Sequence, residues 1–419
     1  MNFSISSSRR IFAFVFSAGA FLTGQAHAAG FQLTDFSMTG LGRSYAGAGI
    51  VGDDYSAIAF NPAGMTLKGT GGQAGAAVIW QHGRVKGFAE KAGAPGPGGT
   101  ASGKETVSIP VAVPNLFAQY KLSDSVNFGL GVYAPFGLAT EYDDDWFGSD
   151  LAVDSELEVI DIAPSLAWRI NDQWSVGASL IARYGRVKMT NTSAIGFSDF
   201  DIDGWGWYGR FGVMYEADEN TRFGLSYQTQ STEVEHTLKG DHTILGRDWI
   251  GGTVTGLPEH WLLSGYHKHG NFGYSASVRY NRWEHFNDFT LTSSSPLGYH
   301  TSKYNWENTW TAALGIDWYY NDVWTWRAGV AFDESPVRGA GTRTVRIPDN
   351  DRFWLSLGFT YKVNKNVKVD VGYAHLYLPT YKARNGYGAT GLGGNPYKTV
   401  DVKYDINAEI LGVQFQYDF

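Results

Sequence analysis

The sequence predicts an all-β protein, a 14-stranded antiparallel transmembrane β-barrel with an N-terminal hatch (plug) segment in its lumen. Three observations predict this fold. Apolar and polar residues alternate over segments of about ten residues, as in strands that face lipid on one side and a lumen on the other. Six short turn signals recur along the chain at near-constant spacing. Beyond the N-terminal leader, no stretch has the ~18 uninterrupted apolar residues of a membrane helix.

The first 28 residues are predicted to be an export signal. Arg9 and Arg10 precede the apolar run 11–16, and Ala26-His27-Ala28 supplies the small-x-small pattern of a cleavage site. Cleavage would start the mature chain at Ala29. The chain contains no cysteine, which excludes a disulfide framework and thiolate metal sites.

Residues 29–71 are rich in glycine and alanine and lack sustained alternation. A barrel of 14 strands is wider than one that its own side chains can fill. We therefore expect this segment to fold back into the lumen as a hatch, with a periplasmic tail as the alternative. The segment contains the triplet Asn61-Pro62-Ala63, which is best known from helical water channels. Its single copy and the lack of membrane helices exclude that architecture.

Residues 72–419 are predicted to form the barrel. Alternation is clear in four stretches: 125–132, 174–182, 367–373 and 411–419. Asn/Asp/Gly clusters that close hairpins stand at 122–125, 170–173, 216–220, 267–271, 319–322 and 363–366. Six such turns, with one strand before the first pair and one after the last, give 14 strands. Bacterial barrels have even strand numbers, with short turns on the periplasmic side and longer loops outside.

The alternation also places charges of both signs in the lumen. These residues are Arg183, Arg210, Arg279, Arg327, Glu307, Asp317 and Asp370. A charge facing lipid at the midplane costs roughly 2–4 kcal/mol, so the charged faces are expected to point inward. The formal net charge of -8 gives no indication of nucleic-acid binding.

The second and third predicted strands are interrupted. The interrupting residues are Pro110, Pro114, Pro135 and Gly137. Proline cannot donate to the strand ladder, so a kink here would separate the two strands and open the wall beside Val111 and Ala134. A rim bulge without function is the alternative. Each CH₂ group moved into water costs roughly 0.8 kcal/mol, so a sideways exit into lipid suits an apolar ligand better than a water-filled pore.

The stretch "AGFQLTDFSMTGLGRSYAGAG", followed by "NPAGM", resembles the start of the outer-membrane long-chain fatty acid transporter family (FadL/TodX/OMPP1 type). Four further stretches agree in order: "FGLATEYDD", "LPEHWLLSGY", "WRAGVAFDESPV" and "IPDNDRFWLSLGFTY". The resemblance therefore runs from Ala29 to Phe419. It implies a 14-stranded barrel with the Asn-Pro-Ala triplet in a luminal hatch and with ligand release through a kinked third strand.

The resemblance also implies a function. It points to a Gram-negative outer-membrane diffusion channel for hydrophobic compounds, most of all long-chain fatty acids, without cofactor or enzymatic activity. It places Phe31 and Leu33 against the ligand. A desolvated carboxylate needs a basic partner, and Arg183 on the fifth strand is the candidate, with a lumen salt network as the alternative. Positions where fatty-acid binders carry basic residues fall on Asn191 and Glu307, which leaves room for aromatic or aliphatic hydrocarbons.

The remaining expectations concern partners and other function classes. We expect a monomer that contacts outer-membrane lipid and lipopolysaccharide, and that reaches the barrel-assembly machinery through the strand ending at Phe419. The run Asp143–Asp145 is typical of a solvated loop, so no metal site is expected. Residues 191–203 are expected to be a short outer loop. An outer-membrane lipid hydrolase and a structural or adhesive barrel remain as alternatives to transport.

Overall fold

A closed antiparallel barrel encloses the N-terminal part of the chain. This computed structural model describes residues 30–91, 100–149, 151–193, 196–232, 234–236, 239–242, 249–254, 257–286, 288–293, 299–385 and 397–419. The predicted signal peptide at 1–28 lies outside the described residues. Each barrel strand pairs with the next along the chain, and the last pairs with the first from Gly71 opposite Asp418 to Lys91 opposite Tyr397. The strand order therefore closes into a ring.

The barrel has fourteen strands, numbered here in chain order. They are β1 Gly71–Lys91, β2 Thr100–Lys121, β3 Val126–Glu141, β4 Asp154–Arg169, β5 Trp174–Ser193, β6 Gly196–Glu216, β7 Thr221–Gln228, β8 His260–His269, β9 Phe272–Asn281, β10 Thr309–Tyr319, β11 Trp324–Asp333, β12 Arg352–Lys362, β13 Val367–Tyr377 and β14 Tyr397–Asp418. Each of the six turn signals falls at a short connection between two of these strands. The strand number and the antiparallel order predicted from the sequence are confirmed.

Shorter elements flank the barrel strands. The additional strands are Val234–His236, Lys239–His242, Trp249–Val254, Asp288–Ser293, Tyr299–Lys303 and Tyr381–Asn385, and a 3₁₀ turn spans Trp283–His285. The expectation of a short loop at 191–203 is wrong, because β5 and β6 continue pairing through Thr190 opposite Asp199 up to Ser193 opposite Gly196. The polar residues there favoured a loop, but they lie in a regular two-stranded extension.

Exposure alternates along the strands in the way that a lipid-facing surface requires. Large apolar side chains on the outer face are freely exposed, among them Leu180 at 60%, Leu314 at 63% and Phe415 at 59%. Such a band would be unstable in water, but it matches the outward apolar band of a membrane barrel. Within the described ranges, no helix is both long and apolar enough to cross a membrane.

The charges predicted to face the lumen do so with one exception. Six of the seven are buried: Arg183, Arg210, Arg279, Arg327, Asp317 and Asp370. The prediction for Glu307 is wrong, because this residue precedes β10 and its side chain is 64% exposed beside Arg338. The strand alternation does not extend to Glu307, since β10 begins only at Thr309.

Residues 30–70, called here the N-terminal segment, lie inside the barrel. They contain two short helices, Met38–Leu41 and Ala57–Phe60, and the 3₁₀ helix Pro62–Leu67. The segment bonds to opposite parts of the wall: Met38 N donates to Gln414 Oε1 at 3.0 Å, and Ser226 Oγ donates to the Phe60 carbonyl at 2.8 Å. It is therefore packed within the lumen and joins directly to β1.

A buried ion network ties the N-terminal segment to the wall. The Arg43 guanidinium lies 2.8 Å from Asp53 and 3.0 Å from Asp317 of β10. Arg327 of β11 lies 2.9 Å from each of the same two carboxylates. Removing one partner of such a network leaves buried charge uncompensated, which costs about 3–5 kcal/mol. The four groups thus fix the middle of the segment to one side of the barrel.

Candidate functional site

The Asn-Pro-Ala triplet forms a fixed turn against β6. Asn61 is extended (φ −144°, ψ 101°), as expected before a proline, and its side-chain oxygen accepts a hydrogen bond from Ala63 N at 3.1 Å. The Asn61 amide nitrogen donates to the Val213 carbonyl at 3.1 Å. Gly212 leaves room for this contact, because a Cβ there would lie 2.0 Å from the Asn61 oxygen. The triplet therefore caps a short 3₁₀ helix and attaches it to the wall.

The second and third strands separate partway along their length. β1 and β2 pair continuously from Gly71 opposite Gln119 to Glu90 opposite Thr100. β2 and β3, in contrast, pair only between Lys121 opposite Asn127 and Asn115 opposite Tyr133. Beyond that point, the ladder between these two neighbouring strands is missing, which leaves an opening in the wall on the outer side of Pro114.

A bulge in β3 accompanies the separation. Tyr133 lies opposite Asp161 of β4 and Phe136 lies opposite Val159, so that one extra residue is inserted on the β3 side. Bulges bend the strand that carries them and increase its twist. The extra residue is at Ala134 and Pro135, where the sequence predicted a kink.

The N-terminal segment takes over hydrogen bonds of β3 at the bulge. Leu33 N donates to the Pro135 carbonyl at 2.8 Å, and Gly137 N donates to the Phe31 carbonyl at 2.9 Å. Gln32 forms an antiparallel bridge with Phe136. The start of the segment thus lies along the kinked strand on the inner side of the wall, beside the opening.

A cavity of about 600 Å³ lies at this opening. Its inner lining includes Leu33, Tyr133 and Phe136, and its outer lining includes Ile160, Tyr184 and Arg186. Val111, Ala134 and Gly137 also contribute to the lining, and their role in a lateral opening stays a prediction. The lining is mostly apolar, and the cavity is of the size that protein sites use for small molecules.

Phe31 is the centre of an aromatic cluster next to the cavity. Its ring centroid lies 5.0 Å from that of Phe286, 5.2 Å from Trp283, 5.4 Å from Trp306 and 5.9 Å from Phe136. The cluster is buried and also contains Val159, Leu257, Tyr304, Val337 and Ile347. Edge-to-face ring pairs at these distances are favourable beyond the burial of their area.

Arg183 lies in the lumen but already has a carboxylate partner. Its guanidinium makes two hydrogen bonds to Asp161, at 2.7 Å and 2.8 Å, and both groups are buried. It also faces the rings of Tyr208 and Phe136 at 4.2 Å and 4.8 Å. This is the lumen salt network that the sequence left open as the alternative, so the binding role of Arg183 stays a prediction.

Arg346 was not found from the sequence. It lies between β11 and β12, and one of its nitrogens donates to the Asp154 carbonyl, Ser155 Oγ and the Thr190 carbonyl at 3.0–3.2 Å. Among the described residues, no carboxylate lies within ion-pair distance of it. Burial lowers the pKa of Arg346 to about 10. The group is thus a half-buried cation whose hydrogen bonds go to neutral oxygens.

Arg346 lines a small second cavity beside the aromatic cluster. The cavity measures about 60 Å³ and is lined by Phe31, Ser155, Glu156, Leu157, Val187, Met189, Leu257, Phe286, Tyr304, Arg346 and Ile347. Glu156 and Leu157 also line the larger cavity at the opening. The two spaces are therefore adjacent, and the lining of the smaller one combines apolar surface with the basic group of Arg346 and the acidic group of Glu156. Within the described residues, no cluster of three or more His, Asp or Glu is arranged for a metal ion.

Comparison with known proteins places this architecture in a family. The family model described as "Outer membrane protein transport protein (OMPP1/FadL/TodX)" matches residues 19–419. The chain is 30% identical to the long-chain fatty acid transport protein of Escherichia coli (strain K12), over 96% of this chain and 97% of the relative. It is also 30% identical to outer membrane protein P1 of Haemophilus influenzae, over 84% and 87% of the two chains.

Solved structures share the fold. A Pseudomonas aeruginosa FadL homologue superposes with a TM-score of 0.79 at 23% identity, covering 93% of this chain and all of that one. The Ralstonia pickettii toluene transporter TbuX superposes with a TM-score of 0.67 at 18% identity, covering 92% and 98%. The localisation predicted from the sequence is likewise confirmed: the barrel is an outer-membrane protein. This chain belongs to the outer membrane protein transport protein (OMPP1/FadL/TodX) family.

Proposed function

We propose that this protein is a diffusion channel that carries hydrophobic compounds across the outer membrane and releases them sideways between β2 and β3. The observation that carries the proposal is the cavity of about 600 Å³ at the unpaired stretch of these strands. It has lining residues on both faces of the wall. An apolar molecule that moves through it stays out of water, which matters because each exposed CH₂ group costs roughly 0.8 kcal/mol.

The N-terminal segment acts as the hatch in this proposal. It is packed between opposite walls, and the buried residues Met38, Leu41, Ile58 and Phe60 fill the space that a straight pore would need. Its first residues run along β3 beside the opening, where Phe31 belongs to the aromatic cluster and Leu33 lines the cavity. A ligand bound beside Phe31 and Leu33 would lie next to the opening between β2 and β3, and the N-terminal segment would fill the lumen on its periplasmic side.

Long-chain fatty acids are the proposed ligands. The curated relatives with about 30% identity include long-chain fatty acid transport proteins, which supports this class. The chain itself supplies a reason in Arg346, because a desolvated carboxylate gains most from a charged donor that lacks another counter-ion. The acyl chain would lie among the rings around Phe31, and the carboxylate would reach the guanidinium.

Aromatic or aliphatic hydrocarbons are the second candidate. The lining of the large cavity is mainly apolar, and two of the structural neighbours are toluene transporters, although their identities of 18% or less show the fold alone. A neutral ligand would use the same opening without Arg346. The two ligand classes therefore share the route and differ in their dependence on one side chain.

Uptake into liposomes tests the proposal. Vesicles with the purified barrel, or without it, would be given labelled oleate and labelled toluene, and we expect faster accumulation of at least oleate with the barrel. Equal rates with and without the barrel for both compounds would refute transport. Ester hydrolysis by the purified protein would instead support the outer-membrane hydrolase that the sequence left as an alternative.

A further inference from the structure

Four lysines form one row across the outer part of the wall. Lys86 of β1 lies directly opposite Lys104 of β2 on one side and Lys403 of β14 on the other. Lys382, in the strand Tyr381–Asn385 that runs beside the outer half of β14, lies opposite Lys403. Directly opposed residues share a face of the sheet, and all four side chains are exposed. With strands about 4.8 Å apart, the row spans about 14 Å.

The row has little compensation from acidic residues. Among the described residues, no carboxylate lies within 4 Å of the ammonium groups of Lys86, Lys104 or Lys403. Lys382 has Asp401 at 3.8 Å, and that carboxylate also binds Arg384 at 2.5 Å. Like charges placed directly opposite each other destabilise a sheet, so the row is unfavourable for the barrel by itself.

On another part of the barrel wall, charged residues lie opposite residues of the other sign. On the outer face of β4, β5 and β6, Lys188 lies opposite Glu156 and Asp201, and Arg186 lies opposite Glu158 and Asp203. Charges of opposite sign alternate there, and Arg186 and Asp201 form an ion pair at 2.5 Å. The unbroken sequence of lysines is therefore particular to the wall formed by β2, β1 and β14.

The lysine row lies just outside the lipid-facing band. On the same face of β1, six residues closer to the periplasm, Trp80 is 50% exposed, and below it Val78 and Leu411 are 44% and 55% exposed. Tryptophan belts mark the interface between hydrocarbon and headgroups. Six residues of a tilted strand rise about 15 Å, which places the lysines at the level of the outer headgroups.

The inner face of the strands beneath the lysine row is tightly packed. Val85, Val402 and Tyr404, which neighbour the lysines in sequence, are fully buried. Tyr404 stacks on Tyr381 with ring centroids 5.0 Å apart, and the Tyr381 hydroxyl donates to the Pro348 carbonyl at 2.5 Å. Lys86, Lys382 and Lys403 are therefore presented from a packed base.

We propose that this row is a binding site for the phosphorylated sugar headgroup of an outer-leaflet glycolipid, namely lipopolysaccharide. Phosphate groups would supply the negative charge that the row lacks, and lysine is a regular partner of phosphate. The acyl chains of the same molecule would lie on the apolar band below, beside Trp80 and Leu411. The site is on the outside of the barrel and is independent of the ligand route through β2 and β3.

The test uses the full-length barrel in a nonionic detergent and fluorescently labelled lipopolysaccharide. The test variant is Lys86→Gln with Lys403→Gln, which removes the two central charges. Lysine contributions at an anionic lipid surface predict that binding weakens about 30-fold. Lys188→Gln, in the row of alternating charges, is the matched control and should bind like the wild type. Heat-modifiability on gels shows that each barrel is folded.

Further arms of the same test distinguish the sources of negative charge. Lipopolysaccharide with its phosphates removed should bind the wild type as weakly as intact lipopolysaccharide binds the double variant. Equal binding of the wild type and the folded double variant would overturn the proposal, and so would undiminished binding of the dephosphorylated glycolipid. A double variant that keeps lipopolysaccharide but loses oleate uptake would assign the row to ligand capture instead. A double variant that loses only its affinity for poly-glutamate would indicate an acidic protein partner.

Discussion

Charged residues at the opening between β2 and β3 should stop transport of apolar ligands. Val111→Glu and Ala134→Glu each place a carboxylate at the border of the cavity, on opposite strands of the opening. The unpaired part of β2 that lines the cavity runs from Val111 to Pro114. These four residues span about 13 Å, so several methylene groups lie against them while an acyl chain passes. If a hydrated charge replaces apolar surface for about five of them, the passage costs about 4 kcal/mol more. Uptake should then slow about 1,000-fold.

The assay is uptake of labelled oleate by liposomes that contain equal amounts of folded barrel. Thr106→Glu is the matched control, because Thr106 lies on the same strand with its side chain exposed and does not line the cavity. We expect the control to transport like the wild type. Wild-type rates in both the Val111 and the Ala134 variant, with heat-modifiability unchanged, would refute lateral release at this place.

Three further changes probe the ligand site and the hatch. Arg346→Met should weaken oleate binding by about 10- to 100-fold, which is the contribution of a hydrogen bond to a charged group. It should leave toluene uptake unchanged. Equal losses for both ligands, measured by titration and uptake, would contradict binding of the oleate carboxylate by Arg346. Phe31→Ala removes the ring at the centre of the aromatic cluster and should lower the local free energy of unfolding by about 3–5 kcal/mol. Amide hydrogen exchange of residues 31–36 should therefore accelerate. Unchanged protection would show that the cluster does not hold the N-terminal segment. Gly64→Ala would place a Cβ 1.8 Å from the Gly49 carbonyl oxygen, whereas a Cβ on Gly69 meets nothing within 4 Å. Gly64→Ala should raise ion conductance in planar bilayers, and the control Gly69→Ala should not. A Gly64→Ala variant with wild-type conductance would argue against the hatch.

The strand number and its order could be predicted because they depend on local signals. Alternation fixes which residues face lipid, and Asn/Asp/Gly clusters fix where hairpins close. Pro135 predicts a kink because a proline inside a strand has few alternatives, and the register of β3 shifts between Tyr133 and Phe136. The same reasoning failed near the outer ends of the strands. Glu307 lies before β10, where the alternation no longer applies, and residues 191–193 and 196–203 continue β5 and β6 despite their polar composition.

The candidate site depends on contacts that a single sequence does not reveal. The bridge between Gln32 and Phe136 joins residues more than 100 positions apart, and no local pattern signals it. Arg346 follows the buried Val345 and precedes the buried Ile347 in a connection without regular strands, so no periodicity indicates where its guanidinium points. The pairing of Arg183 with Asp161 was equally invisible, since facing the lumen does not say which counter-ion lies opposite on the next strand.

The pairing of β1 with β14 has a consequence for assembly. The wall becomes a ring only when the final 22 residues of β14 have joined the first strand, so its last join involves the two most distant parts of the chain. Residues 30–70 are attached to β1 and end up enclosed. Closing the ring and enclosing the segment therefore both involve β1. Assembly of this barrel thus joins the enclosure of residues 30–70 to the pairing of its first and last strands.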